Sequence, residues 1–314
     1  MSRQKSIVSV SLVAALVACT VSTHSARAAV FAYEGFDYTP GVLAGSSGGS
    51  GWQGSWGFTA TGTGSTVSNG TSVVAGLTFS DYPVRGNAAE VLAIGNTGTV
   101  AHRQIAISPA LPRDSTVFTS MLFRHVQQST SDNASAFTVG STAFEGQNKL
   151  QSQAVTLFGV SNPDNIGTGS GNSSTRSPTG GIAGGTTYLF IGKFTGLNIP
   201  AFNNAVNTAT LWALSEANYD AIKADGITEA ELDANNVARA FRGDGPSNFG
   251  TSFGGGDFVR LLASTNFGVS NRSVFDELKF ANELNDIVPI PEPTLIASIT
   301  LFGATLILRR RKAK

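Results

Sequence analysis

Between residues 72 and 281 this chain repeats one pattern, a short run of β-branched and aromatic residues closed by a turn. The runs cover 72–79, 88–94, 99–107, 116–126, 134–144, 153–160, 187–195, 205–214, 258–264 and 273–281, and residues 29–38 alternate well enough to add a first strand. Gly, Pro, Asn or Asp bounds most of them. Runs of this length and composition are strands. Ten or more short strands with no long helix between them predict an all-β fold, an antiparallel two-sheet β-sandwich over residues 29–287.

The connections add detail. Residues 39–70 are rich in Gly, Ser and Thr yet hold Trp52, Trp56 and Phe58. Large aromatics in such a loop either anchor it to the sheet or line a pocket. Residues 164–185 have the composition of a flexible loop and are assigned no structure. Two segments look helical, 215–224 and 228–237. Ser215 caps the first, and Thr228 with Glu231 forms a capping box for the second. Charged residues are only 13 % of the chain and Gly numbers 36, which suits an exported domain with many turns. Disorder has the same look, but 20 Phe in regularly spaced runs argue against it.

Both ends carry membrane signals. Arg3 and Lys5 precede an apolar stretch, 7–18, and Ala26 and Ala28 provide the small residues a signal peptidase reads, so residues 1–28 are expected to be a signal helix cleaved after Ala28. Residues 16–19, Leu-Val-Ala-Cys, resemble a bacterial lipobox, which leaves lipidation of Cys19 as the alternative. At the other end, residues 288–314 divide into three parts. Pro291-Glu292-Pro293 comes first, then the uncharged segment 294–308, then Arg309, Arg310, Arg311, Lys312, Ala313 and Lys314. Such a segment, closed by basic residues, is expected to be a C-terminal transmembrane helix with its basic end in the cytoplasm. It is short: fifteen residues reach about 22 Å at ~1.5 Å each, against a bilayer core of about 30 Å. The prolines lack the amide hydrogen that a helix interior needs and so hold the motif extended outside the membrane. Arg309, Arg310 and Arg311 stop transfer, at roughly 2.5–3.5 kcal/mol each.

This tripartite tail resembles the PEP-CTERM sorting signal of Gram-negative bacteria. The resemblance implies an exosortase-type processing enzyme as partner, transient anchoring in the inner membrane, and a destination at the cell surface or in an exopolysaccharide matrix. The body invites a second comparison. Residues 33–38 (Tyr-Glu-Gly-Phe-Asp-Tyr), residues 48–52 with Trp56, the segment Thr210-Leu211-Trp212 and residues 275–280 resemble strands of concanavalin-like, laminin-G-like jelly rolls. That likeness implies a jelly roll with its first and last strands adjacent. Members of the fold bind glycans or hydrolyse them, so the fold does not select between these activities.

The residue inventory narrows the chemistry. Cys19 is the only cysteine, so cleavage after Ala28 leaves neither disulfides nor thiolate catalysis. Residues 29–288 hold 13 basic and 20 acidic residues, a net of −7, which argues against nucleic acid as a partner. Glycan hydrolysis needs two carboxylates flanking one bond. Residues 229–233 are Glu-Ala-Glu-Leu-Asp but lie in an expected helix, and Asp276 and Glu277 are adjacent, so on a regular strand they point to opposite faces and read as turn or rim charges. No catalytic residue is expected. His102 and His125, beside Arg103 and Arg124, read as surface residues, and no nucleophile elbow accompanies them. Asp164 with Asn165, and Asp244 with Asn248, are calcium candidates that Asx-rich turns explain equally well, so no metal site or cofactor is predicted.

Three function classes remain, in order of expectation. They are a non-catalytic structural or adhesive surface protein, a glycan-binding module acting on exopolysaccharide, and a divergent glycoside hydrolase. Exposed tryptophans on a concave sheet would favour the second. A close carboxylate pair in a cleft would favour the third.

Overall fold

The computed structural model describes residues 30–61, 70–94, 98–106, 115–127, 134–140, 154–161, 165–170, 173–176, 181–197, 208–224, 226–242, 258–264 and 270–288. The amino-terminal residues Ala26 and Ala28, the motif Pro291-Glu292-Pro293, segment 294–308 and Arg309, Arg310 and Arg311 lie outside them. Among the described residues no helix is long and apolar enough to cross a membrane.

The described chain is an antiparallel two-sheet sandwich. Its strands are β1 (Ala32–Glu34), β2 (Gly41–Val42), β3 (Trp52–Thr61), β4 (Thr71–Ala75), β5 (Asn87–Ile94), β6 (Gly98–Ile105), β7 (Ser115–Gln127) and β8 (Ala134–Gly140). They continue with β9 (Ala154–Ser161), β10 (Asn165–Ser170), β11 (Ser173–Arg176), β12 (Thr187–Leu197), β13 (Thr208–Leu214), β14 (Ala238–Arg242), β15 (Phe258–Ser264) and β16 (Ser270–Ala281). Three short helices are α1 (Glu216–Ile222), α2 (Glu229–Ala234) and α3 (Leu284–Ile287). A nine-stranded sheet runs β14-β13-β12-β7-β16-β5-β4-β2, with β1 also paired to β16. A seven-stranded sheet runs β11-β10-β9-β8-β15-β6-β3. The first and last strands are adjacent, with Ala32 opposite Phe280.

Burial sorts the two sheets. One core fills the space between them, including Met121 and Phe123 of β7, Phe190 and Phe194 of β12, Phe137 of β8, Leu261 of β15 and Phe275 of β16. A second core lies behind the nine-stranded sheet. There Phe118, Leu122, Leu189, Ile191, Trp212 and Leu214 meet Phe79 and Tyr82 of the 76–86 connection and Tyr219, Ile222, Leu232 and Ile287 of the helical segments. Strands covered on both faces are apolar at consecutive positions, as in the Tyr-Leu-Phe-Ile run of β12. Strands of the seven-stranded sheet alternate instead, Ala101 and Ile105 inward with His102 and Gln104 between them.

The expected helices form where their caps are. Thr228 N donates to Glu231 Oε2 at 2.8 Å while Glu231 N donates back to Thr228 Oγ1 at 3.3 Å, closing a capping box. α3 was not expected; four residues are too few for a periodic signal. Two expectations about loops are corrected. Trp52 and Trp56 belong to strand β3, and part of the 164–185 segment forms β10 and β11. Gly, Ser and Thr give these strands little intrinsic preference, and partner strands β6 and β9 supply the pairing. Gly51, at φ +77, lets the chain entering β3 pass against the Phe31 carbonyl, where any Cβ would collide.

Candidate functional site

The tryptophans are structural. Trp56 and Trp212 are each 1 % exposed. Trp56 Nε1 donates to Glu34 Oε2 at 3.1 Å, and Trp212 Nε1 donates to Asp233 Oδ1 at 2.7 Å. Trp52 is half-buried and donates from Nε1 to the Tyr33 carbonyl at 2.8 Å. They pin β1, β3 and α2 rather than form a stacking platform.

Glu34 and Arg103 form an ion pair inside the sandwich, 2.5 Å apart and 1 % and 4 % exposed. Sequence reasoning assigns Arg103 no role beyond its place beside His102. Further hydrogen bonds to both partners stabilise the pair. Glu34 also accepts from Tyr38 OH at 2.7 Å and from Phe36 N at 2.9 Å, and Arg103 Nε donates to the Gly54 carbonyl at 3.0 Å. Burial, then the Glu34 charge, pushes the Tyr38 hydroxyl above its ordinary range.

Asp276 and Glu277 are not rim charges; they are 0 % and 1 % exposed. Alternation fails here because β16 bulges between Asp276 and Lys279, with Glu277 at φ +52. Such a backbone is strained for a residue with a Cβ. The carboxylates hold it in place. Asp276 Oδ2 accepts from Leu77 N at 2.9 Å, and Asp276 Oδ1 accepts from Glu277 N at 2.8 Å. Glu277 Oε1 accepts from Tyr33 OH at 3.1 Å and also from Arg85 N. Lys279 Nζ lies 3.6 Å from Glu277 Oε2 and donates to Tyr82 OH at 2.9 Å. Tyr82 OH and Ser120 Oγ both donate to the Ile287 carbonyl, at 3.2 and 3.0 Å. Burial pushes Asp276 up to about 8, against the pull of the Leu77 N–H, and it also raises Glu277 and lowers Lys279. This is a clasp joining β1, β16, the 76–86 connection and α3.

The histidines differ from the expected surface residues. His125 is 5 % exposed, with Nε2 2.8 Å from Asn271 Oδ1. His102 is half-buried and lies on the outer face of the seven-stranded sheet. Register places it in a row with Gly57 of β3, Arg260 of β15 and Thr138 of β8. Gly57 is required because a Cβ there would strike His102 Nε2. Burial first, then the Arg260 charge, holds the imidazole below its ordinary pKa. The neighbouring row is Gln53, Gln104 and Phe258, of which Gln53 is exposed and the other two half-buried. On this face Val100, Thr138 and Arg260 are buried, at 3, 5 and 7 % exposed.

The seven strands of this sheet contain no Asp or Glu, while three Arg and His102 lie in them. Among the described residues no group of three or more His, Asp, Glu or Cys could hold a metal ion. Asn165 opens β10, and Asp164, Asp244 and Asn248 lie outside the described residues.

No family model and no curated protein matches the sequence. Among solved structures, peanut lectin bound to a nonapeptide is similar at a TM-score of 0.37 and 10 % identity, over 72 % of this chain and 96 % of that one. The endo-β-1,4-glucuronan lyase of the fungus Trichoderma reesei is similar at 0.42 and 9 %, over 71 % and 91 %. The carbohydrate recognition domain of Emp47p is similar at 0.38 and 7 %, over 71 % and 92 %. At these scores the likeness bears on neither site nor activity.

Proposed function

We propose that this is an exported protein, sorted by its tail to the cell surface or extracellular matrix, where the sandwich acts as a non-catalytic adhesive module. The termini support the export route. Arg3, Lys5, Ala26 and Ala28 form the entry signal, and Pro291-Glu292-Pro293, segment 294–308 and Arg309, Arg310 and Arg311 form the sorting signal read by an exosortase-type enzyme. The observation that carries the non-catalytic reading is the fate of the carboxylates. Asp276, Glu277 and Glu34 hold buried structural bonds, and the strands of the seven-stranded sheet carry none. The pair needed on either side of a glycosidic bond is thus not offered by that sheet's strands. The body is taken as a jelly roll of the concanavalin and laminin-G type on its sequence resemblance and its adjacent terminal strands.

The test is expression in an exosortase-bearing host, with surface fractionation and mass spectrometry of the mature ends. The expected product starts at Ala29, ends before Arg309 and sits outside the inner membrane. Intact protein through Lys314, unchanged by Glu292→Ala, would leave a plain membrane anchor. Reducing sugar released from β-glucans by the purified protein, and lost on substitution of one carboxylate, would overturn the non-catalytic role.

A further inference from the structure

The chain that leads into the tail is fastened to the body. Strand β16 ends at Ala281, and α3 follows it closely. Leu284, Ile287 and Val288 are 8, 0 and 1 % exposed and belong to the core behind the nine-stranded sheet. Tyr82 OH and Ser120 Oγ both donate to the Ile287 carbonyl, and Ile227 N donates to Asn285 Oδ1 at 3.2 Å. Lys279 Nζ donates to the same Tyr82 hydroxyl, so the clasp and α3 are one assembly. Pro291 comes three residues after Val288, and the uncharged segment begins at Thr294, directly after the motif. Three residues reach at most about 10 Å. A single helix with its side chains is already about 10–12 Å across. While α3 is docked, the space between the body and the first proline therefore admits no more than one wall of an enzyme cleft.

We propose that α3 is a releasable strap: docked, it withholds Pro291-Glu292-Pro293 from the processing enzyme, and its release from the sheet precedes removal of the tail. This rests on the sorting reading above and adds how the body regulates it. Release moves the last fixed point back to Ala281, ten residues before Pro291, for a reach of about 35 Å. It unpairs no strand, because β16 ends before the strap begins. α3 is built to come away. It has four residues, its N-cap Glu283 makes no side-chain cap bond, and Asp286 N to the Glu283 carbonyl and Val288 N to the Leu284 carbonyl are both long, at 3.3 Å. Elements of this kind open locally, below the cost of global unfolding. When reclosing is faster than capture, the rate of tail removal follows the fraction of chains with α3 released. Losing a strap bond raises that fraction, and a longer tether makes release unnecessary.

The experiment reads two rates on the full chain. Tail removal is followed by pulse-chase in the exosortase-bearing host, and strap release by thermolysin digestion in detergent, scored as cuts before Leu284, Ile287 and Val288. Three variants accompany the parent. Tyr82→Phe removes one strap bond. An insertion of about ten Gly and Ser residues after Val288 adds roughly 18 Å of reach and leaves the strap intact. Val259→Ala loosens the core between the sheets, in β15, without touching the strap. The expected result is that Tyr82→Phe is cut by thermolysin, and loses its tail, about tenfold faster than the parent. The insertion should speed tail removal at least as much, leave the thermolysin cuts unchanged, and abolish the effect of Tyr82→Phe when the two are combined. Val259→Ala should leave both rates near the parent's. An insertion that leaves tail removal at the parent's rate would overturn the strap, and so would Tyr82→Phe speeding thermolysin alone. Val259→Ala matching Tyr82→Phe in tail removal would overturn it too, by tracing the effect to global stability. Removal at one rate in every variant would overturn the strap and leave sorting standing. Removal in none of them would overturn the sorting reading and the strap's role with it.

Discussion

The two sheets of this sandwich use polar residues in opposite ways. The nine-stranded sheet buries Asp276, Glu277 and Lys279 on strand β16 and covers its outer face with a connection and three helices. The seven-stranded sheet sends Arg103 inward to Glu34 and keeps His102, Gln104 and Arg260 on its outer face. In the first, charge is spent holding elements together. In the second, Arg103 is structural, while His102 and Arg260 lie on the outer face. Buried charge alone therefore does not mark a site; what each charge is bonded to separates a clasp from a contact surface.

That contrast can be broken most severely at Arg103. Arg103→Met strips Glu34 of its cation at 1 % exposure, and the uncompensated carboxylate should cost about 3–5 kcal/mol, read as a lower urea midpoint. The double variant with Glu34→Gln should recover part of that loss. A loss below about 1 kcal/mol would show that the inner pair is dispensable. Next is Tyr82→Phe, which removes the hydroxyl between Lys279 Nζ and the Ile287 carbonyl. The expected cost is about 1–3 kcal/mol, with faster amide exchange at residues 284–288. Unchanged exchange there would separate α3 from the clasp.

The third test is one of pH. Asp276 binds its proton more tightly folded than unfolded, with its folded pKa raised from 3.8 to about 8. The native state therefore holds more protons between these values, and stability falls as pH rises through them. Glu277, also raised, has the same sign. Tm is predicted to fall between pH 5 and pH 8. Asp276→Asn should lower Tm at every pH, because its amide nitrogen meets one of the Leu77 and Glu277 N–H donors, but should flatten the slope. A Tm rising over that range in the parent chain and unaffected by the substitution would contradict the assignment.

Much of this was legible beforehand. Strands such as β5, β6, β7 and β15 announce themselves by β-branched residues and bounding turns, and the Thr228–Glu231 box marks its own helix. What escaped is what depends on partners. β10 and β11 are Gly, Ser and Thr strands that pair only because a neighbour is present. Asp276 and Glu277 were assigned to opposite faces by strand alternation, and the bulge defeats it. A signal did exist, since two acids stand between Val274-Phe275 and Leu278, within the apolar stretch of the strand. The outer row of His102 and Arg260 joins residues 158 positions apart, a distance that only sheet register closes.

The division of labour between the sheets is tested most directly by amide hydrogen exchange of the full chain and its Asp276→Asn variant. The account predicts faster exchange at residues 76–86 and 284–288, which the clasp on β16 holds, and no change in β6 and β15, at residues 98–105 and 258–264. Faster exchange confined to β6 and β15 would contradict it, and so would unchanged exchange in all of these segments.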